Sequence, residues 1–177
     1  MLLTIPEHGL VLMIGAAGSG KSTFARKHFA STEIVSSDAL RAAVSDDEAD
    51  QSASGDAFQL LRMIVAKRLR RGRLTVIDAT NVQAKTRRGL LATAMKNGRP
   101  TTAIVLNLPI ATCLARNQSR ALSEMGRRVS PEVVEKQVAD LAASLTRLNQ
   151  EGFQKIYVMD NTGDIDSVCI LRQAASA

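Results

Sequence analysis

Aromatic side chains are scarce in this 177-residue sequence, which holds four Phe, one Tyr and no Trp. A core must therefore be built from Val, Ile, Leu, Met and Ala. A module that reads RNA by stacking bases on aromatic platforms is disfavoured on the same ground. Only two cysteines occur, Cys113 and Cys169, far apart and in no C-x-x-C pair. They read as idle thiols of a reducing cytosol rather than as a disulfide frame or a zinc site. No apolar run is long enough to cross a bilayer, and there is no internal repeat or low-complexity linker. The opening stretch MLLTIPEHGLVLMIG carries no basic leader and runs straight into a glycine loop, so it reads as a strand and not as a targeting segment. The expectation is a cytoplasmic protein with no membrane partner.

What is present is an ordinary globular balance, 45% apolar and 23% charged residues, in a chain of single-domain length (1–177) that can bury an α/β core unaided. The formal net charge of +6 suits an anionic partner such as a nucleotide or a nucleic acid. Short β-branched runs alternate with longer helical patterns, which signals βαβ units and a parallel sheet. Strands are expected at Leu10–Ile14, Glu33–Val35, Leu74–Ile77, Thr102–Leu106 and Lys155–Met159. Between them, helices are expected from Gly20 to about Phe29, over Ala39–Val44, Asp56–Arg70, Lys85–Lys96 and Ile110–Gln118, and from a Ser130 cap with Pro131 at its first position to about Gln150. Ile165–Leu171 is expected as a closing helix, and the polar Ser45–Gly55 as a loop. With the loop Gly15-Ala16-Ala17-Gly18-Ser19-Gly20-Lys21-Ser22 directly after the first of these strands, the expected fold class is α/β: a P-loop-type parallel sheet of four to five strands, flanked by helices on both faces, with an arginine-bearing lid at about 116–131.

The strongest local signal is Gly15-Ala16-Ala17-Gly18-Ser19-Gly20-Lys21-Ser22, which satisfies G-x-x-x-x-G-K-[ST] at every fixed position. Phosphate charge must be met by donors at short range. A glycine-rich turn lets successive backbone N–H groups point inward, and the helix that follows adds its positive end. An apolar strand precedes the loop and a helix-forming run follows, as this mechanism requires. Gly15, Gly18, Ser19, Gly20, Lys21, Ser22 and Thr23 form the expected phosphate-binding set. Lys21 reaches the β- and γ-phosphates of an NTP, and Ser22 places its hydroxyl on magnesium, with manganese as a substitute.

Two aspartates end strands where an open parallel sheet binds its ligands. Asp78 closes the apolar run Leu74–Ile77 and reads as the acid near the metal, directly or through water. Asp38 follows Glu33–Ser37 and has Arg41 one turn later, a pair that can hold an acceptor hydroxyl and an adjacent phosphate together. Asp38 is therefore the candidate general base and Arg41 the acceptor clamp. The plainer alternatives are an N-cap for Asp38 and a strand-ending turn for Asp78-Ala79-Thr80-Asn81. Arg116, Arg120, Arg127 and Arg128 cluster before the Ser130-capped helix. Such guanidiniums stabilise charge on a transferring phosphoryl group, or else form a solvated basic face. The run Lys67–Arg73 reads as a solvated helix end that can add to a nucleic-acid track.

Taken together, these residues resemble the kinase module of bacterial RNA-repair polynucleotide kinase/phosphatase enzymes, which heal and seal broken ends, with phage polynucleotide kinase a more distant relative. The resemblance covers nearly the whole chain, in LTIPEHGLVLMIGAAGSGKSTFARKHF, EIVSSDALRAAVSDDEADQ, GRLTVIDATNVQ, NLPIATCLARNQSR and EGFQKIYV. It implies transfer of the γ-phosphate of ATP or another NTP, whatever its base, to the 5′-hydroxyl end of RNA or DNA, RNA before DNA. It implies Asp38 as base, Arg41 on the acceptor and Arg116 on the donor phosphates, with Arg120 and Arg128 sharing the lid role. Phosphatase and ligase-like modules accompany such a kinase in the family, and a homodimer is compatible with it. The competing expectations are a small-molecule kinase on the same fold, acting on a sugar, nucleoside or antibiotic, and a non-catalytic nucleotide sensor.

Overall fold

In the computed structural model, which describes residues 1–121 and 129–174, five parallel strands form the central sheet. They are β2 (Leu10–Ile14), β3 (Ile34–Ser36), β4 (Thr75–Asp78), β5 (Thr101–Leu106) and β6 (Lys155–Met159), in the spatial order β3-β4-β2-β5-β6. β2 sits at the centre and is buried at all five positions, which is why it reads as an unbroken apolar run rather than an alternating one. Its register pairs Leu10 with Thr75 on one side and with Thr101 on the other.

Helices cover both faces. Leu10, Leu12 and Ile14 point to the layer made by α3 (Ser54–Arg70), α4 (Ala84–Lys96) and α6 (Pro131–Leu145), and pack with Leu61, Val65, Leu90 and Leu141. Val11 and Met13 point the other way, to Phe24 and Ala25 of α1 (Lys21–His28). The period-two alternation of side chains thus divides one strand between two cores. α2 (Ser37–Ser45) and α5 (Ile110–Ala121) complete the frame beside the carboxyl ends of the strands.

The two chain ends depart from expectation. The opening stretch is two strands, not one: β1 (Leu2–Pro6) is separated from β2 by a turn at residues 7–9 and belongs to a second, two-stranded sheet. Its partner is β7 (Cys169–Gln173), paired in parallel from Leu2↔Cys169 to Pro6↔Gln173. The closing helix expected at Ile165–Leu171 is therefore wrong. Asn161 caps a five-residue helix, α7 (Thr162–Asp166), and the chain then extends into β7. β7 alternates in burial, with Ile170 against the core, and Arg172 stacks over Phe29 while pairing with Glu33 at 2.8 Å. That alternation suits a strand, and the open edge of β1 satisfies its backbone. α6 stops at Leu145 rather than near Gln150, and a short 3₁₀ turn at Leu148–Gln150 finishes the segment.

Candidate active site

The loop after β2 is shaped by contacts that leave no room for a side chain at Gly15 or Gly18. Gly18 has φ of 81°, and a Cβ there would meet the carbonyl oxygen of Cys113 at 2.1 Å. Gly15 lies beneath the site: its N–H donates to the Thr80 carbonyl at 3.0 Å, joining the loop to the turn after β4. Asn81 supports the same junction from a left-handed conformation (φ 48°), its Nδ2 donating to the Met13 carbonyl at 2.9 Å. The fully buried Arg87 holds that turn, donating to the Asn81 carbonyl at 2.7 Å and forming an ion pair with Glu151. Asp78-Ala79-Thr80-Asn81 is thus a strand-ending turn that also buttresses the loop.

Lys21 opens α1 and folds back over the loop, its Nζ donating to the Ala16 carbonyl at 2.8 Å. Burial lowers its pKa to about 8, against the opposing pull of Asp78, Cys113 and Asp38, and Arg120 lowers it further. Asp78 is also buried. Desolvation pushes its pKa up, while a hydrogen bond from Ser22 and the charge of Lys21 hold it down. Asp38 and Arg41 form an ion pair one helical turn apart on α2. Arg41 is buried and its Nε donates to the Glu48 carbonyl at 2.8 Å, which fixes the guanidinium. The N-cap of α2 is Ser36, whose side chain accepts from the Ala39 N–H, so Asp38 is not the capping residue.

These side chains converge on one cavity of about 310 Å³, bordered by Gly18, Gly20, Lys21, Ser22, Asp38, Arg41, Asp78 and Arg120. A neighbouring cavity of about 280 Å³ lies on the far side of the loop, bordered by Ser19, Gly20, Thr23, Arg116 and Arg120. Arg116 and Arg120 project from α5, which continues past the expected end at Gln118, and they stand one turn apart on a helix. Arg127 and Arg128, with the rest of the expected lid over 122–128, lie outside the described residues. The basic run Lys67–Arg73 is absent from both cavities. Arg68 donates instead to the Leu74 carbonyl and Thr75 hydroxyl behind the sheet.

Sequence reasoning missed Gln137. Its Oε1 accepts from the Ala17 N–H at 2.7 Å, placing a side chain of α6 on a loop amide. No spacing rule marks it, because it lies beside the apolar stripe of α6 rather than on a motif. Gln51, in the turn before α3, and Ser54 and Phe58 at its start also border the larger of these two cavities. Among the described residues no cluster of three or more His, Cys, Asp or Glu side chains is placed to hold a metal, and no helix is long and apolar enough to cross a membrane.

Comparison with known proteins agrees with this fold. A family model described as an AAA domain matches residues 10–148, and the chain belongs to that family. No match is found among curated protein sequences. A chain in the structure of the Pnkp1/Rnl/Hen1 RNA repair complex is similar at a TM-score of 0.69 and 25% identity, over 81% of this chain and 47% of that one. The present chain therefore spans about half the length of that relative. Kti12 from Chaetomium thermophilum, in complex with ADP-AlF3, is similar at a TM-score of 0.67 and 16% identity, over 89% of this chain and 93% of that one. A gluconokinase from Sinorhizobium meliloti is similar at a TM-score of 0.55 and 15% identity, over 92% and 87%. The fold is that of the P-loop kinases.

Proposed function

We propose that this member of the AAA domain family is a 5′-hydroxyl polynucleotide kinase that moves the γ-phosphate of ATP, or of another NTP, onto the end of an RNA or DNA strand. The observation that carries the reading is the Asp38–Arg41 pair. A carboxylate and a buried, fixed guanidinium stand together in the cavity that also holds Lys21. A 5′-terminal nucleotide presents a hydroxyl and, on its 3′ side, a phosphate, and this pair meets both. The similarity to a chain of an RNA repair complex supports the same choice.

Chemically, the acceptor hydroxyl gives its proton to Asp38 as its oxygen forms a bond to the γ-phosphorus. The bond between that phosphorus and the β–γ bridging oxygen breaks, and the nucleoside diphosphate leaves with the electron pair. Lys21 and the amides of the loop meet the charge on the phosphates. Arg116 and Arg120, reaching over the loop from α5, meet charge on the donor side. Magnesium, when bound with the nucleotide, neutralises phosphate charge. Ser22 and Asp78 are the residues to hold it, since one hydroxyl and one carboxylate suit a cation that keeps several waters.

One observation favours a second reading. A cavity of about 310 Å³ also fits a small phosphate acceptor, and the fold is shared with a gluconokinase and a shikimate kinase. Incubation with magnesium, γ-labelled ATP and a 5′-hydroxyl oligonucleotide, beside Asp38→Ala, separates the two. Label on the oligonucleotide that vanishes in the variant supports the proposal. Label that persists in the variant removes Asp38 from its role. No label on any oligonucleotide, with ATP still bound, transfers the assignment to small acceptors or to a nucleotide sensor.

A further inference from the structure

A third cavity, of about 400 Å³, continues the reaction cavity outward between α3 and α4. Ser54 and Phe58 border both, so the two share a wall at the start of α3, while the Arg116 cavity shares none of its lining with this outer groove. The three cavities therefore follow one another: the Arg116 side, the reaction cavity, then the groove. Arg62 and Lys85 line the groove, no carboxylate does, and neither cation has an ion pair among the described residues. Gly55 and Gly89 face it too, and a side-chain carbon at either would meet only open space. Phe58, half-buried, supplies an apolar surface at the junction.

We propose that this groove holds the part of a single-stranded acceptor that lies beyond its first nucleotide. Arg62 and Lys85 meet the backbone phosphates, and Phe58 packs against a base. The inference rests on the polynucleotide reading and adds to it a path, a polarity and the residues that grip the strand. The 5′ end lies at Asp38, the next phosphate at Arg41, and the strand then leaves between α3 and α4.

The test compares transfer from ATP to a 5′-hydroxyl oligonucleotide long enough to fill the groove with transfer to a nucleoside 3′-phosphate, which ends at Arg41. The readout is the ratio of the two kcat/KM values. Two variants are used: Arg62→Ala with Lys85→Ala, which removes the cations, and Gly89→Leu, which fills the groove while raising helix propensity, so that α4 is retained. The wild type favours the oligonucleotide, and each variant lowers that preference by about tenfold, the double variant also flattening its salt dependence. A preference that survives in both variants, or that is missing in the wild type, overturns the groove while leaving the kinase assignment standing. Failure of the wild type to phosphorylate any 5′-hydroxyl oligonucleotide overturns both.

Discussion

Lys21 makes the empty site pH-sensitive in a way that a bound nucleotide removes. Its pKa falls from 10.5 to about 8 through burial, which corresponds to about 3 kcal/mol against the charged form. Because the folded value lies below the unfolded one, this cost is fully present below pH 8. It is relieved as pH rises toward 10.5, so the empty protein gains stability from this group over that window. A γ-phosphate, with its second pKa near 6, is already fully ionised there and returns the proton to Lys21 on binding. Between pH 7 and pH 9 the protonated fraction of Lys21 in the empty site drops from about nine-tenths to about one-tenth, so ATP affinity drops by about tenfold. Isothermal titration calorimetry at pH 8, in buffers of different ionisation enthalpy, should show uptake of about half a proton per ATP bound. Lys21→Met should bind weakly and lose this uptake. Flat affinity from pH 7 to 9 with no proton uptake would refute the burial argument.

Three other perturbations follow from the same geometry. Gly18→Ala places a methyl on the Cys113 carbonyl and forces alanine into a φ of 81°, so strain of about 1–3 kcal/mol should appear as a lower Tm together with lost ATP binding; an unchanged melting curve refutes it. Arg87→Met leaves Glu151 and the Asn81 carbonyl without their buried partner and should cost about 3–5 kcal/mol in urea denaturation, much of it recovered by adding Glu151→Leu. Gln137→Ala frees the Ala17 N–H for phosphate and should tighten ATP binding by about 0.5–1.5 kcal/mol; weaker binding would mean that Gln137 contacts the nucleotide rather than competing with it.

The parts legible in advance were those written in local pattern. The run Leu10–Ile14, the glycines and Lys21-Ser22 specify strand, turn and helix start within a dozen neighbours, and the structure places all of them as read. Asp38 and Arg41 were legible as a pair because helical spacing alone puts residues three apart on one face. The ends of the chain were not, because β1 and β7 exist only through each other, in a register that runs from Leu2↔Cys169 to Pro6↔Gln173 and joins opposite ends of the chain. A five-residue strand has no stability by itself, and Ile165–Leu171 carries enough apolar residues to suit either structure until a partner edge is present.

The sequence by itself thus determined the central strand, the glycine loop that follows it and the helix start that carries Lys21 and Ser22, because those properties reside in backbone conformation and short spacing. Only the tertiary structure decided what surrounds that loop. The buried Arg87–Glu151 pair beneath it, Gln137 on its Ala17 amide, Cys113 filling the space above Gly18 and the groove between α3 and α4 all join segments that the chain keeps far apart. Packing of those segments against the two faces of β2 brings them to one end of the sheet. No local rule encodes that meeting, because its free energy comes from the apolar surface the whole fold buries.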